Sequence, residues 1–200
     1  MKQLVLALLL SMPVGAVAQN TWEAPVQNSK SQNADPKYLL GAVPEVDGKV
    51  VFKTTIEVPG KTAAQLYDIA ADYLLKMTKE PNQTGQSRLT IADSLQHQLI
   101  GSYQEWLVFK QSALVTDRTR FYYTLSVDCF DGKADVTLSN IFYLYDEERS
   151  PQQMRAEDTI TDQWGLTKKQ DKLSRVNGKF RRKTIDRKDY LFNKIASLLK

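Results

Sequence analysis

The sequence predicts an α+β domain, an antiparallel sheet of about five strands backed by two helices. Three observations predict it. Apolar residues alternate with polar ones over 50–58 and again on both sides of an Asp131-Gly132 turn, a helical apolar stripe follows the first of these runs, and a second stripe closes the chain. The implied order is strand, helix, four strands, helix.

The first strand opens after Asp47-Gly48, where Val50, Phe52, Thr54, Ile56 and Val58 share one parity. Pro59-Gly60 ends it. Thr62 and Gln65 then have the spacing of a capping box, each side chain satisfying a backbone N–H that the first helical turn leaves unpaired. The helix runs to about Lys79 with Leu66, Ala70, Tyr73, Leu74 and Met77 on one stripe, which suits packing on a sheet. A polar loop from Glu80 to Ser87 follows. Strands are expected at Arg88–Ser94 and Gln98–Lys110.

The strongest pairing signal surrounds Asp131-Gly132. Phe121, Tyr123, Leu125, Val127 and Cys129 alternate up to it, and Ala134, Val136, Leu138, Phe142 and Leu144 alternate away from it. An Asp-Gly between such runs suits a two-residue type I′ hairpin, in which both central residues need positive φ. That turn sets Cys129 opposite Ala134, Val127 opposite Val136 and Leu125 opposite Leu138, all facing the core. A slip by one residue would bury Asp128, Lys133 and Thr137 instead. Asp186 is expected to cap a last helix over 186–200, with Leu191, Ile195 and Leu198 on one face.

Residues 1–18 have the layout of a cleavable signal peptide. Lys2 supplies the positive start, Leu4–Leu10 the apolar run and Ala16-Val17-Ala18 the small-x-small cleavage site. The run is broken by Ser11 and Pro13 and falls short of the roughly 20 apolar residues that span a bilayer. The expectation is export to the periplasm or the cell surface, with no transmembrane segment after cleavage. Residues 19–42 read as a flexible leader in which Trp22 alone invites docking, 43–146 as the core domain, and 147–185 as an irregular extension that starts acidic and ends basic. Cys129 is the single cysteine, so packing must supply the stability that disulfides give many exported domains.

Val46-Asp47-Gly48-Lys49-Val50-Val51-Phe52, then Glu57-Val58-Pro59-Gly60-Lys61-Thr62 and Ala63-Ala64-Gln65-Leu66-Tyr67, resemble an exported family found mainly in Bacteroidetes and described as a domain of unknown function with a TATA-binding-protein-like fold. The resemblance covers about residues 43–146. It implies that fold and an envelope setting, and it carries no catalytic residues and no nucleic-acid partner, since function belongs to sites rather than architectures.

Four features are candidates for function. His97 is the lone histidine and lacks a nucleophile motif, so a hydrolase built on it is the weakest reading against a plain surface histidine. With one His and one Cys, no His/Cys metal site and no cofactor is expected. Asp128 faces Asp135 beside Asp131, which suits either solvated turn acids or a loose cation site without the spacing of a calcium loop. The third is aromatic. Trp106, Arg120, Tyr122, Ile141, Tyr143 and Tyr145 share the sheet face away from the helices, so that face is either covered by Glu147–Ile185 or makes contact with an envelope protein or small ligand. The fourth is a block of cations over 167–188, which holds ten basic residues against Asp171 and Asp186. Lys168, Lys169, Lys172, Arg175, Lys179, Arg181, Arg182 and Lys183 could meet an anionic lipid or polymer, or form a merely solvated linker. Together these lead to an expectation of a non-enzymatic binding or assembly module of the cell envelope, acting through the open sheet face.

Overall fold

A computed structural model describes residues 22, 34–111 and 116–200; the expected signal peptide and residues 19–33 other than Trp22 lie outside the described residues. Within them, β1 (Glu45–Val46) and β2 (Lys49–Val50) form a small hairpin. A six-stranded antiparallel sheet is then built from β3 (Phe52–Glu57), β4 (Arg88–Asp93), β5 (Gln98–Gln111), β6 (Thr116–Phe130), β7 (Lys133–Tyr145) and β8 (Gln152–Arg155). The spatial order is β3-β7-β6-β5-β4, and β8 pairs with the far half of β7 beyond the end of β3. Helices α1 (Ala63–Met77) and α3 (Gly178–Leu199) pack against one face, and the one-turn α2 (Asp162–Gly165) lies against α3. The predicted α+β class holds, with β8 as an extra strand.

The capping box forms as the spacing requires: the Gln65 N–H donates to Thr62 Oγ1 at 3.3 Å and the Thr62 N–H to Gln65 Oε1 at 2.9 Å. The Leu125–Leu138, Val127–Val136 and Cys129–Ala134 pairs also form, on the helix-facing side. The turn between them differs from expectation. Gly132 has a φ of 78° but Asp131 is not in the positive region, and its carboxylate instead accepts from the Ala63 N–H at 2.8 Å, so the hairpin tip caps α1. The type I′ signature sits instead at Asp47-Gly48, with φ of 51° and 70°.

Cys129 is buried on the helix side of β6, and burial pushes its thiol up to about 11. Since the thiolate is the reactive form, a thiol reagent at mildly alkaline pH is expected to leave native Cys129 unmodified and to label it fully on unfolding in urea. Labelling of the native protein at the rate of a free thiol would contradict its placement.

The largest departure is in the second half of β7. Thr124 pairs with Ser139, but Tyr122 pairs with Phe142, so Asn140 and Ile141 together oppose Tyr123. This is a β-bulge, and Asn140 sits in the left-handed region at a φ of 51°. The extra residue reverses the sidedness of everything after it. Ile141, Tyr143 and Tyr145 turn toward the helices, and Phe142 and Leu144 turn outward, the opposite of the unbroken alternation. Tyr143 is fully buried, shares a 2.6 Å hydrogen bond with Thr184 of α3 and packs against Phe121 and Phe180.

α3 begins eight residues earlier than expected, so Asp186 is not its cap; its carboxylate accepts from Lys37 at 2.7 Å and Tyr38 at 2.8 Å. The early turns escape an apolar reading because their buried face carries Arg181, Thr184 and Arg187 beside Phe180 and Ile185. The described part of the leader, Trp22 and residues 34–42, is held to the fold. Asp35 caps a 3-10 turn at Pro36–Tyr38, Tyr38 is buried, and Trp22 packs against Tyr190 of α3.

Candidate functional site

The segment 147–185 does not fold over the outer face of the sheet. β8 extends the sheet beside β7, the Ala156 N–H donates to the Ile141 carbonyl, and Ala156, Ile160, Leu166 and Leu173 join the core that α3 covers. Among the described residues no helix lies across the outer side.

That side has two ends of different chemistry. Toward the Asp131-Gly132 turn, β7 and β6 present Asp135, Thr137, Ser139, Asp128, Ser126 and Thr124, alternating with the inward core residues. Asp128 and Asp135 are direct cross-strand partners, yet each has its own donor, Gln98 for Asp128 and Thr55 for Asp135, both at 2.7 Å. Toward the other end the face is aromatic and cationic. The Arg118 guanidinium lies 3.8 Å from the Trp106 ring centre and that of Arg120 4.8 Å. Tyr122 stacks on Phe142 with centroids 4.2 Å apart and planes 9° from parallel, and Gln104 Nε2 donates to the Tyr122 hydroxyl at 2.7 Å.

Acids from the turn after β7 balance the arginines. Arg120 donates from Nε and Nη2 to the two oxygens of Glu147 at 2.9 and 2.8 Å, and Arg118 reaches Glu148 at 3.2 Å. The two-point pair sets the Arg120 plane relative to Trp106, so the aromatic face is ordered before any ligand arrives. Beside it opens a cleft of about 420 Å³ whose walls include Trp106, Lys110, Arg118, Leu144, Glu147 and Arg149. The arrangement suits a flat or apolar group that can lie on the rings while polar atoms meet guanidinium or carboxylate at the rim.

Of the six residues expected on this face, Trp106, Arg120 and Tyr122 are there, while Ile141, Tyr143 and Tyr145 are carried to the core side by the bulge. Phe142, Leu144 and Arg118 take their place. Arg118 shares the parity of Arg120 and Tyr122 and was readable from the same alternation.

The matches to known proteins follow this architecture. A family model described as a domain of unknown function (DUF4468) with TBP-like fold matches residues 52–144. A crystal structure of a DUF4468 family protein from Bacteroides ovatus is 37% identical to this chain, covers 86% of it and 96% of its own length, and superposes with a TM-score of 0.74. The chain belongs to the DUF4468 family. A TBP-like protein from Parabacteroides distasonis, 17% identical over 78% of this chain and 96% of its own, shares the fold with a TM-score of 0.62. No curated protein matches.

In this DUF4468 chain the basic block is divided by the fold. Arg181 is wholly buried and donates to the carbonyls of Tyr38, Leu39 and Ile160 and to Asp162, at 2.6–2.7 Å. Lys183 is also buried, and Lys179 is bound to both oxygens of Asp117. Arg181 and Lys183 therefore cannot serve as the anion contacts expected of them: a helix that packs on a sheet must turn some of its residues inward, and here those residues are cations. Lys168, Lys169, Lys172 and Arg175 are exposed as expected. His97, in the β4–β5 turn at a φ of 50°, is half-buried in a T-shaped contact with Tyr67, ring centres 6.1 Å apart.

One cluster had no sequence signal. Glu105 of β5 is fully buried opposite Arg187 of α3, which donates from Nε at 2.8 Å and Nη2 at 2.7 Å, and Asn82 and Gln83 each donate to the same carboxylate at 2.7 Å. Burial pushes the Glu105 carboxyl up from the ordinary range, against the pull of the guanidinium beside it. Trp22 and Tyr190 close over Arg187, their rings 5.4 and 5.3 Å from its guanidinium carbon. Arg187, Asn82 and Gln83 all donate to the one carboxylate, and the pair ties α3 to β5 and the loop after α1.

Proposed function

We propose that this chain is an exported, non-enzymatic binding module of the cell envelope whose contact surface is the aromatic and guanidinium end of the outer sheet face. The observation that carries the reading is the ordered group of Trp106, Arg118, Arg120, Tyr122 and Phe142 on a face with no helix over it among the described residues. Apolar and aromatic groups of this size left at a surface mark contact sites, and Trp, Tyr and Arg are the side chains that dominate binding energy where partners meet. The signal-peptide layout of residues 1–18 supports the envelope setting. The occupant is an envelope protein or small ligand with a planar or apolar group to lay against Trp106.

A photoreactive amino acid placed at Leu144, and separately at Thr137 on the polar end of the same face, tests this in envelope fractions of the native host. A discrete adduct is expected from Leu144 and not from Thr137. In a Trp106→Ala, Tyr122→Ala background the yield is expected to fall on the order of 30-fold, the loss of one interface hot spot. Equal adducts at both ends, or a Leu144 adduct insensitive to the double substitution, would overturn the assignment.

A further inference from the structure

The end of the molecule built around Arg181 bears exposed apolar side chains and uncompensated cations together. The Arg181 guanidinium binds the Leu39 carbonyl and the Asp162 carboxylate at 2.6 and 2.7 Å, and Asp162 accepts from the Gly41 N–H at 2.9 Å, which fixes the 39–41 turn against α2. The loop after α2 is fixed in turn: the Ser174 N–H donates to the Gly165 carbonyl at 2.9 Å, Leu166 bridges Leu173, and the Thr167 N–H donates to the Lys172 carbonyl at 2.9 Å. Three large apolar side chains emerge from this one platform, Leu40 at 65% exposure, Trp164 at 46% and Val176 at 68%. The same loop carries Lys168, Lys169, Lys172 and Arg175, all exposed and without an ion pair among the described residues, and its one acid, Asp171, is engaged by the Thr167 hydroxyl at 2.9 Å.

Neither half of this pattern is needed by the fold. Arg181 and Lys179 nearby are bound to internal partners, whereas these four face solvent; and the three apolar tips stand apart from the core that Leu166 and Leu173 enter. We infer that this platform is a docking surface for an anionic lipid bilayer, in which the lysines and Arg175 meet lipid phosphates while Trp164, Leu40 and Val176 enter the boundary between headgroups and acyl chains. Charge complementarity selects the occupant. A polyanion alone would leave the apolar tips in water, and a neutral apolar partner would leave the cations unmatched; an anionic bilayer offers both environments a few ångströms apart. Tryptophan is also the residue most at home at that boundary. The platform is a different surface from the outer sheet face, so docking there is independent of what the sheet face binds.

Flotation with vesicles of phosphatidylglycerol mixed with phosphatidylcholine, against phosphatidylcholine alone, tests it on the chain without residues 1–18. Binding is expected to the anionic vesicles only, and to weaken as salt shortens the screening length to about 10 Å at 0.1 M. Reversing Lys168, Lys169 and Lys172 to Glu is expected to lower partitioning by on the order of 100-fold or more. Trp164→Ser is expected to lower it several-fold at unchanged charge, and bromine-labelled acyl chains are expected to quench fluorescence in the parent but far less in Trp164→Phe. Trp106→Ala is expected to leave flotation with either vesicle unchanged, which separates membrane docking from the sheet-face proposal. Absence of binding at low salt, or equal binding to neutral vesicles, would overturn the inference. So would retention on a soluble polyanion such as heparin with no effect of Trp164→Ser on vesicle binding, which would make the platform a polymer site instead.

Discussion

Tyr143→Ala is expected to destabilise the domain by about 3–5 kcal/mol, the usual cost of removing a large aromatic side chain from a packed core. Tyr143 is fully buried between Phe121 and Phe180, and its loss also strands the Thr184 hydroxyl that faces it at 2.6 Å. Tyr122→Ala is expected to cost less, roughly 1–2.5 kcal/mol, because that half-buried ring on the outer face loses its stack on Phe142 and the hydrogen bond from Gln104. Urea midpoints at equal slope measure both. The comparison bears directly on the bulge at Asn140: an unbroken strand would put both tyrosines on the outer face and make the two losses alike. Similar small losses would therefore remove the basis for the described sidedness.

Arg187→Met is expected to cost a comparable 3–5 kcal/mol, for an electrostatic reason. The substitution preserves much of the side chain's length but leaves the Glu105 carboxylate fully buried with only the amide donors of Asn82 and Gln83. Glu80, 3.4 Å from the guanidinium, loses a partner as well. The informative companion is Glu105→Leu with Arg187→Met. Replacing both members of a buried pair by apolar residues is often nearly neutral, so the double variant is expected to regain most of what the single one loses. Thermal unfolding of the two single variants and the double variant gives the coupling. A double variant no more stable than Arg187→Met would show that the pair is not the source of the loss.

The legible parts of this chain are those whose cause is local. The Thr62–Gln65 box, the α1 stripe and the Leu125–Leu138 register all follow from spacings within a few residues or across one tight turn. The bulge is local too, yet hidden, because Ile141-Phe142-Tyr143-Leu144-Tyr145 is apolar at every position and satisfies either parity. Only Asn140, a residue that tolerates the left-handed region, hinted at a break. The site suffered for it: three of its six expected residues changed sides, while Trp106, Arg120 and Tyr122, on strands with clean alternation, did not. The burial of Arg181 and Arg187 is hidden in the sequence for a different reason. A charge run looks solvated until its partners are known, and those of Arg181 and Arg187 are Tyr38, Leu39, Ile160 and Glu105, remote in sequence and brought in by the fold.

The division of the β7 flank between β3 and β8 bears on how copies of this protein behave at high concentration. Each of the two strands is short, six residues in one and four in the other, with no further strand on its outer edge among the described residues, and they lie on either side of the kink at Asn140. Lys53, Glu57 and Arg155 stand along that border as charges that a neighbouring strand would have to accommodate. A broken, charged border is a poor template for ordered stacking, which disfavours fibre growth from this flank.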